Sequence, residues 1–401
     1  MSCGNYHTLS RRAFEAAVVT YNRGCGLRPI IELAWSDLRL YRYHPMKTPD
    51  LSAQRLRTHH LLKPDFESPA EVVRWFGAVQ AQDYFGSLYA IGLRLPRATE
   101  GTIEKAVADR TIVRTWPMRG TIHYVPAEDV RWMLTLLARR RIPRNHLVYR
   151  RAGLTEADFE KAGKVLVRIL SGGKLLTRPE VYQALDAAKI RTEPEQRGLH
   201  ILGYWAQMGL ICLGARRGKQ TTITLLDDWI PDGRTLPGDQ ALAVLATRYF
   251  TSHGPATLGD FAWWSGLNAA DARAALHSVR SRLVPVTVDG RTYWSGSADE
   301  PPDLSSPNIH LLPAYDEFTV AYRDRSAIVD PALGKKVGYA LGPSIISDGR
   351  MVGRWKRTLE KDAVIIQLDL LGPLNRKQRT ALEGAADHYG AFVGLPAKLQ
   401  E

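Results

Sequence analysis

The chain has 401 residues, of which 45% are hydrophobic and 24% charged. That balance suits a folded protein of two to three domains and excludes disorder, collagen-like repeats and coiled coil as the main architecture. Lys plus Arg number 54 against 41 Asp plus Glu, a net charge of +13, and a surplus of that size favours a polyanionic partner, most simply nucleic acid. The 3 cysteines cannot build a disulfide framework or a four-cysteine zinc site, and their scarcity fits a reducing cytoplasm. No apolar run approaches the roughly 20 residues needed to span a bilayer.

Residues 1–45 hold isolated basic residues, Gly24 and Gly26, and no sustained hydrophobic period. They are expected to be disordered or to lie upstream of a natural start at Met46. From Met46 onward one order recurs: two or three short helices, then two short strands around a basic or glycine turn. In the first unit, 46–151, the spacing predicts helices over 51–62, 69–79 and 102–108, strands over 112–117 and 120–125, and a basic closing helix over 127–141. In the second, 152–236, helices are expected over 156–170, 178–187 and 195–208, with Thr177 capping the middle one. A hairpin of 210–214 and 221–226 follows around Arg216-Arg217-Gly218-Lys219. In the third, 237–299, helices over 240–250, 257–265 and 269–280 carry Thr257 and Asn268 as caps. Strands over 283–288 and 291–294 then flank Asp289-Gly290, a hairpin signal. Helix, helix, recognition-type helix and two-stranded wing is the winged form of helix-turn-helix. The fold class expected is therefore α+β: three tandem winged-helix units and a β-rich region. That region, 300–401, opens on the Pro-rich linker Glu300-Pro301-Pro302-Asp303, with strands over 309–312, 318–322, 351–355 and 364–370 and one helix over 377–389.

The charge is clustered. Residues 110–151 carry ten arginines, among them Arg114, Arg119, Arg139, Arg140 and Arg141, against Glu128 and Asp129 alone. A second cluster over 350–379 includes Arg354 and Lys356. Scattered charge would serve solubility; clustered arginine suits phosphate, which it meets with charge and paired hydrogen bonds together. Binding through such a footprint falls steeply with salt. Phosphate-loop, HExxH zinc and serine-hydrolase elbow motifs are all missing from the sequence, so none of those mechanisms has an anchor, and neither metal nor cofactor is expected.

Gln80-Ala81-Gln82-Asp83 is expected to end the second helix of the first unit. Glutamines at i and i+2 face opposite ways on a helix and converge only if the chain turns or extends there. Two convergent amides can hold one water, accepting its protons and donating to its lone pairs, but cannot act as strong bases. Asp83 either supports charge at that site or forms a turn. Arg119, Thr121 and His123 alternate on a predicted strand and share one face. They form either a polar row facing DNA or a buried hydrogen-bonded one.

Four stretches carry a family resemblance: Ala78-Val79-Gln80-Ala81-Gln82-Asp83; Trp116-Pro117-Met118-Arg119-Gly120-Thr121-Ile122-His123; Leu311-Leu312-Pro313-Ala314-Tyr315-Asp316-Glu317-Phe318 with Tyr322-Arg323-Asp324-Arg325; and Asp348-Gly349-Arg350 with Gly353-Arg354-Trp355. Over about 47–400 the chain resembles the winged-helix DNA glycosylases of the AlkZ and YcaQ type. The resemblance implies three winged helices and a barrel-like C-terminal domain around a basic channel. It also implies a monomer that excises bulky or crosslinking N-alkylated purines, N7-alkylguanine foremost, from double-stranded DNA. The catalytic motif of the family is Gln-x-Gln in the AlkZ branch and Gln-x-Asp in the YcaQ branch, so Gln80 and Gln82 place the chain with the former. Alkylation at N7 makes guanine a cationic leaving group, and neutral amides that position water suffice. The chemistry expected is thus monofunctional. Asp83 and Asp316 are candidate supports, Asp316 otherwise being a structural partner of Arg323 or Arg325. The DNA contacts expected are Arg114, Arg119, Thr121, His123, Arg139, Arg140, Arg141, Arg216, Arg217, Lys219, Arg323, Arg325, Arg354 and Lys356, on a cytoplasmic, nucleoid-associated protein. The alternative function is a non-catalytic winged-helix DNA binder or regulator.

Overall fold

The computed structural model describes residues 48–333 and 341–401; the expectation for 1–45 and a start at Met46 lies outside the described residues. Helix α1, Thr48–Thr58, is followed by α2, Pro69–Phe76. Ser68 caps α2 by accepting from the Glu71 amide, and Gly77 ends it with φ 80°. The second helix therefore stops three residues short of the 69–79 expected. A left-handed residue cannot continue a right-handed helix, and glycine takes that conformation at no steric cost. The chain then extends into β1, Val79–Gln80. Asp83 caps α3, Tyr84–Gly92, and a Thr99–Thr102 capping box opens α4, Glu100–Ala108.

Strands β2, Ile112–Met118, and β3, Thr121–Pro126, meet at a two-residue turn in which Arg119 and Gly120 both have positive φ, 55° and 75°. That geometry matches the right-handed twist of a hairpin. The basic segment beyond is not the single helix expected over 127–141. It runs as short helical turns from Ala127–Asp129 to His146–Arg151, with Pro143 inside the Arg139–Asn145 turn. Proline lacks the N–H of a helical ladder and clashes with the carbonyl four residues back.

The second unit contains α5, Glu156–Leu170, β4, Leu176–Thr177, α6, Arg178–Ala187, and α7, Arg197–Gln207, then β5, Ile211–Arg217, and β6, Gln220–Leu225. Its hairpin does not stand alone. The strand order β1-β3-β2-β5-β6-β4 joins the hairpins of the first two units into one six-stranded sheet, with Arg114 opposite Leu213 at the junction. The third unit places α8, Gly238–Ser252, α9, Leu258–Ser265, and α10, Ala269–Val279, before the separate hairpin β7, Val284–Val288, and β8, Arg291–Ser295.

In the last region β9, Ile309–Leu312, leads into a short helix, α11, Glu317–Val320, where a strand over 318–322 was expected. Asp316 accepts from the Phe318 amide and so starts a helical turn. Strands β10, Ser344–Ser347, β11, Arg350–Leu359, and β12, Val364–Leu370, precede α12, Arg376–Val393, and β13, Ala397–Gln400. Among the described residues these strands form an open sheet of order β13-β12-β11-β10-β9 rather than a closed barrel. α12 connects β12 to the parallel strand β13 and buries Leu382, Ala386, Tyr389 and Phe392. The second unit has an apolar core of its own around Leu166, Val181, Leu185 and Ile201. The first unit, the third and the last region share another, which includes Phe76, Tyr249, Trp264, Phe318 and Tyr322.

The β10–β11 turn leans on α1. A Cβ added at Gly349, where φ is 82°, would lie 2.7 Å from the Ser52 Cβ and 3.1 Å from its carbonyl. Gly349→Ala is therefore expected to destabilise the protein by about 1–3 kcal/mol, read as a lower midpoint in chemical denaturation; an unchanged midpoint would contradict this packing.

Candidate active site

The Gln80-Ala81-Gln82 segment is extended, not helical. Gln80 pairs with His123 across β1 and β3, and the Ala81 amide donates to the Ile122 carbonyl at 2.8 Å. Alternate residues of an extended chain share a side, and the chain then bends at Gln82, just before α3. Gln80 is buried and Gln82 exposed. The Gln80 Oε1 accepts from the Gln82 backbone amide at 3.0 Å, and the Gln82 Oε1 accepts from the Ile122 amide at 3.3 Å. Each carbonyl oxygen retains a second lone pair, and each carboxamide its N–H donors. Asp83 is exposed and caps α3, accepting from the Gly86 amide at 3.3 Å.

The surroundings are more elaborate than the motif. The Gln80 amide donates to Glu317 Oε1 at 2.9 Å. The other Glu317 oxygen accepts from Trp264 Nε1 at 2.9 Å and lies 3.4 Å from His253 Nε2. Burial works to raise the Glu317 carboxyl, but the hydrogen bond from His253 and the nearby Arg119 guanidinium outweigh it, so the group titrates below the usual carboxylate range. From the opposite side Arg114 Nη2 donates to the Ala81 carbonyl at 2.8 Å. Glu317, Trp264 and His253 escape a reading of the sequence. Glu317 stands inside the 311–318 stretch, yet nothing local ties it to a residue 237 positions away.

Several expected DNA contacts are corrected. Arg114 is buried, and its guanidinium also sits 5.0 Å from the Tyr84 ring; it supports the motif from within. His123 is fully buried. Arg119 donates to its Nε2 at 3.3 Å, which leaves the proton on Nδ1 to meet the Thr121 carbonyl at 3.0 Å. The Thr121 hydroxyl is buried without a hydrogen-bond partner among the described residues. His123 is thus the inward member of the row, while Arg119 and Thr121 are half-buried. Asp316 is fully buried, and its partner is neither Arg323 nor Arg325. Arg94, itself buried, grips it through two bonds of 2.5 and 2.8 Å. Arg325 donates to the Thr319 carbonyl and packs over Trp263.

Other candidates do lie at the surface. Arg139, Arg140, Arg217, Lys219, Arg323 and Lys356 are exposed, although Arg140 pairs with Asp271 and Arg217 with Glu180. Arg216 and Arg354 are half-buried, Arg216 pairing with Glu104; the side chain of Arg141 lies outside the described set. Gln82 borders a cavity of about 270 Å³ with Trp116, Arg119, Asn145, Tyr149 and His200. Trp116 and Ile122 separate it from another of about 450 Å³ lined by Arg114, Arg178 and Lys219. Among the described residues no three of His, Cys, Asp and Glu group as a metal site, and no helix is long and apolar enough to cross a membrane.

Known proteins share this arrangement of sequence and fold. The family described as DNA glycosylase AlkZ-like matches residues 73–392. An interstrand DNA cross-link repair glycosylase of Streptomyces sahachiroi is 26% identical over 324 residues, 76% of this chain and 86% of that protein. The solved structure of the Streptomyces sahachiroi DNA glycosylase AlkZ aligns with a TM-score of 0.73 and 25% identity, covering 89% of this chain and 100% of that one. The chain belongs to the AlkZ-like DNA glycosylases; it is a hydrolase that acts on N-glycosyl bonds.

Two predictions concern the buried charge. Asp316→Ala leaves the Arg94 guanidinium buried without its counter-ion and is expected to cost about 3–5 kcal/mol of stability, measured by denaturant titration; a loss below ~1 kcal/mol would show the pair to be dispensable. Burial also pushes the pKa of His59, His123 and His253 down, His123 to about 3. The unfolded chain then binds protons that the folded one refuses, so this stability is complete above about pH 6.5 and drains as pH falls, by roughly 2 kcal/mol at pH 5 for His123 alone. Glu317, with its depressed pKa, adds loss of the same sign at lower pH. The melting temperature should fall steadily from pH 7.5 to 5, and a flat profile would contradict the burial.

Proposed function

We propose that this enzyme is a monofunctional DNA glycosylase for N-alkylated purines, N7-alkylguanine with bulky or crosslinking substituents foremost, and that Gln80 and Gln82 position the attacking water. The observation that carries this reading is the extended segment held on both sides. β3 and Arg114 bind its backbone, Glu317 binds the Gln80 amide, and Gln82 remains exposed beside a cavity.

The chemistry asks little of those amides. An N7-alkylated guanine already carries positive charge and leaves without an acid. Cleavage builds an oxocarbenium-like sugar, so the remaining tasks are to hold water below the anomeric carbon and to tolerate positive charge. A carboxamide donates to and accepts from the same water without itself ionising.

The repeated helix–helix–helix–hairpin order supports reading the three units as winged helices that set hairpins against phosphates. Exposed Lys219 at the β5–β6 turn, Arg139 beyond the first hairpin, and Arg323 and Lys356 in the last region supply the charge. A base joined to both strands cannot swing out freely into an enclosed pocket. A motif on the edge strand of a shared sheet, with Gln82 exposed beside a cavity, suits such a lesion. The cross-link repair named for the Streptomyces sahachiroi relative is carried to this chain on that ground.

A duplex with a single N7-alkylguanine, incubated with excess enzyme and scored for abasic sites, tests the mechanism. Gln80→Ala with Gln82→Ala is expected to slow excision by at least roughly 10²-fold, the scale of a misplaced reacting group, with duplex affinity held within about threefold, since neither side chain carries charge. Excision at the normal rate by the double variant would sink the mechanism.

A further inference from the structure

We propose that Glu317 is the positioning residue of the Gln80–Gln82 motif, delivered from the last region of the chain to set the first amide for catalysis. This rests on the water-positioning reading above. The Gln80 backbone is reached by a carboxylate whose other oxygen is bound by the third unit, through Trp264 and His253. Glu317 is 1% exposed, so it acts on substrate only through Gln80.

The arrangement exceeds what holding the fold requires. A neutral partner would satisfy one backbone amide with less desolvation, and a buried carboxylate is tolerated only when several donors converge on it. Three donors do so here, and one of them is the backbone of the motif. Gln80 in turn accepts from Gln82 through its side chain. A shift of Gln80 is therefore passed to Gln82 at the cavity, and small misplacements of reacting groups are costly.

Glu317→Gln isolates the effect. The amide has one oxygen where the carboxylate has two, and two of the three donors lie on the side of Trp264 and His253. The amide oxygen settles there, and an NH₂ group faces the Gln80 N–H. Gly349→Ala is the matched stability control: it crowds the β10–β11 turn against Ser52 of α1 and leaves the contacts of Glu317 in place.

The measurements are melting temperature, duplex affinity by anisotropy, and single-turnover excision of N7-alkylguanine. Glu317→Gln should bind duplex within about threefold of wild type and excise at least roughly 30-fold more slowly. Glu317→Asp, with the carboxylate kept but withdrawn, should recover part of that loss and excise about tenfold below wild type. Gly349→Ala should lose melting temperature yet excise within about threefold of wild type. The proposal is overturned if the rate of Glu317→Gln merely tracks its stability and matches Gly349→Ala. If Glu317→Gln does not fold, the same comparison is read at Glu317→Asp, where a rate equal to that of Gly349→Ala overturns it. A Gln80→Ala, Gln82→Ala variant run alongside separates the two readings. Normal excision by that variant defeats the motif itself, whereas its inactivity beside a fully active Glu317→Gln defeats the positioning role alone.

Discussion

Two adjacent carboxylates, Asp316 and Glu317, are the constraint on which the site depends. Asp316 is locked by Arg94, on the turn that ends α3, and Glu317 holds the Gln80 amide just before that helix. Both are buried, and each is met by enough donors to offset the cost of taking a charge out of water. The dipeptide starts α11, so its direction is set by a helix start as well as by its partners. In this way the last region of the chain becomes a wall of a site whose motif lies near the beginning.

The same economy of charge changes how the net +13 is read. Arg55, Arg94 and Arg114 are buried, bonding backbone carbonyls or a carboxylate, and Arg55 packs against the Tyr322 ring at 3.6 Å. Long basic side chains can lay their stems and even their heads against apolar and aromatic surface. Arginine-rich composition is therefore divided between an internal framework and an external footprint. Only the outer share, such as Lys219, Arg139 and Lys356, can meet phosphate without rearrangement.

The six-stranded sheet adds a mechanical link. β2 and β5 come from different units yet pair side by side, with Arg114 at the contact. That residue holds Ala81 and approaches Thr221 of β6 at 3.5 Å. Arg114 thus joins the second hairpin to the backbone between the two glutamines through hydrogen bonds.

Local signals were legible wherever local physics decides. The capping residues Thr257 and Asn268 and the Asp289-Gly290 turn specify helix starts and a hairpin by their own hydrogen bonds and φ values. The glutamine pair was legible as chemistry and, through the resemblance, as a motif; its extended conformation was not, since its partner strand β3 lies about forty residues on. The 318–322 stretch has apolar residues that fit a strand and became a helical turn, because Asp316 supplied a cap and Arg94 held Asp316 in place. Sequence by itself determined several helix caps and hairpin turns, the basic character and the identity of the amides, all of which rest on composition and neighbours a few positions apart. Tertiary structure alone decided that Arg114 and His123 face inward, that two hairpins share a sheet, and that Glu317 reaches Gln80, since each depends on groups brought together from distant parts of the chain after a common core has closed around them.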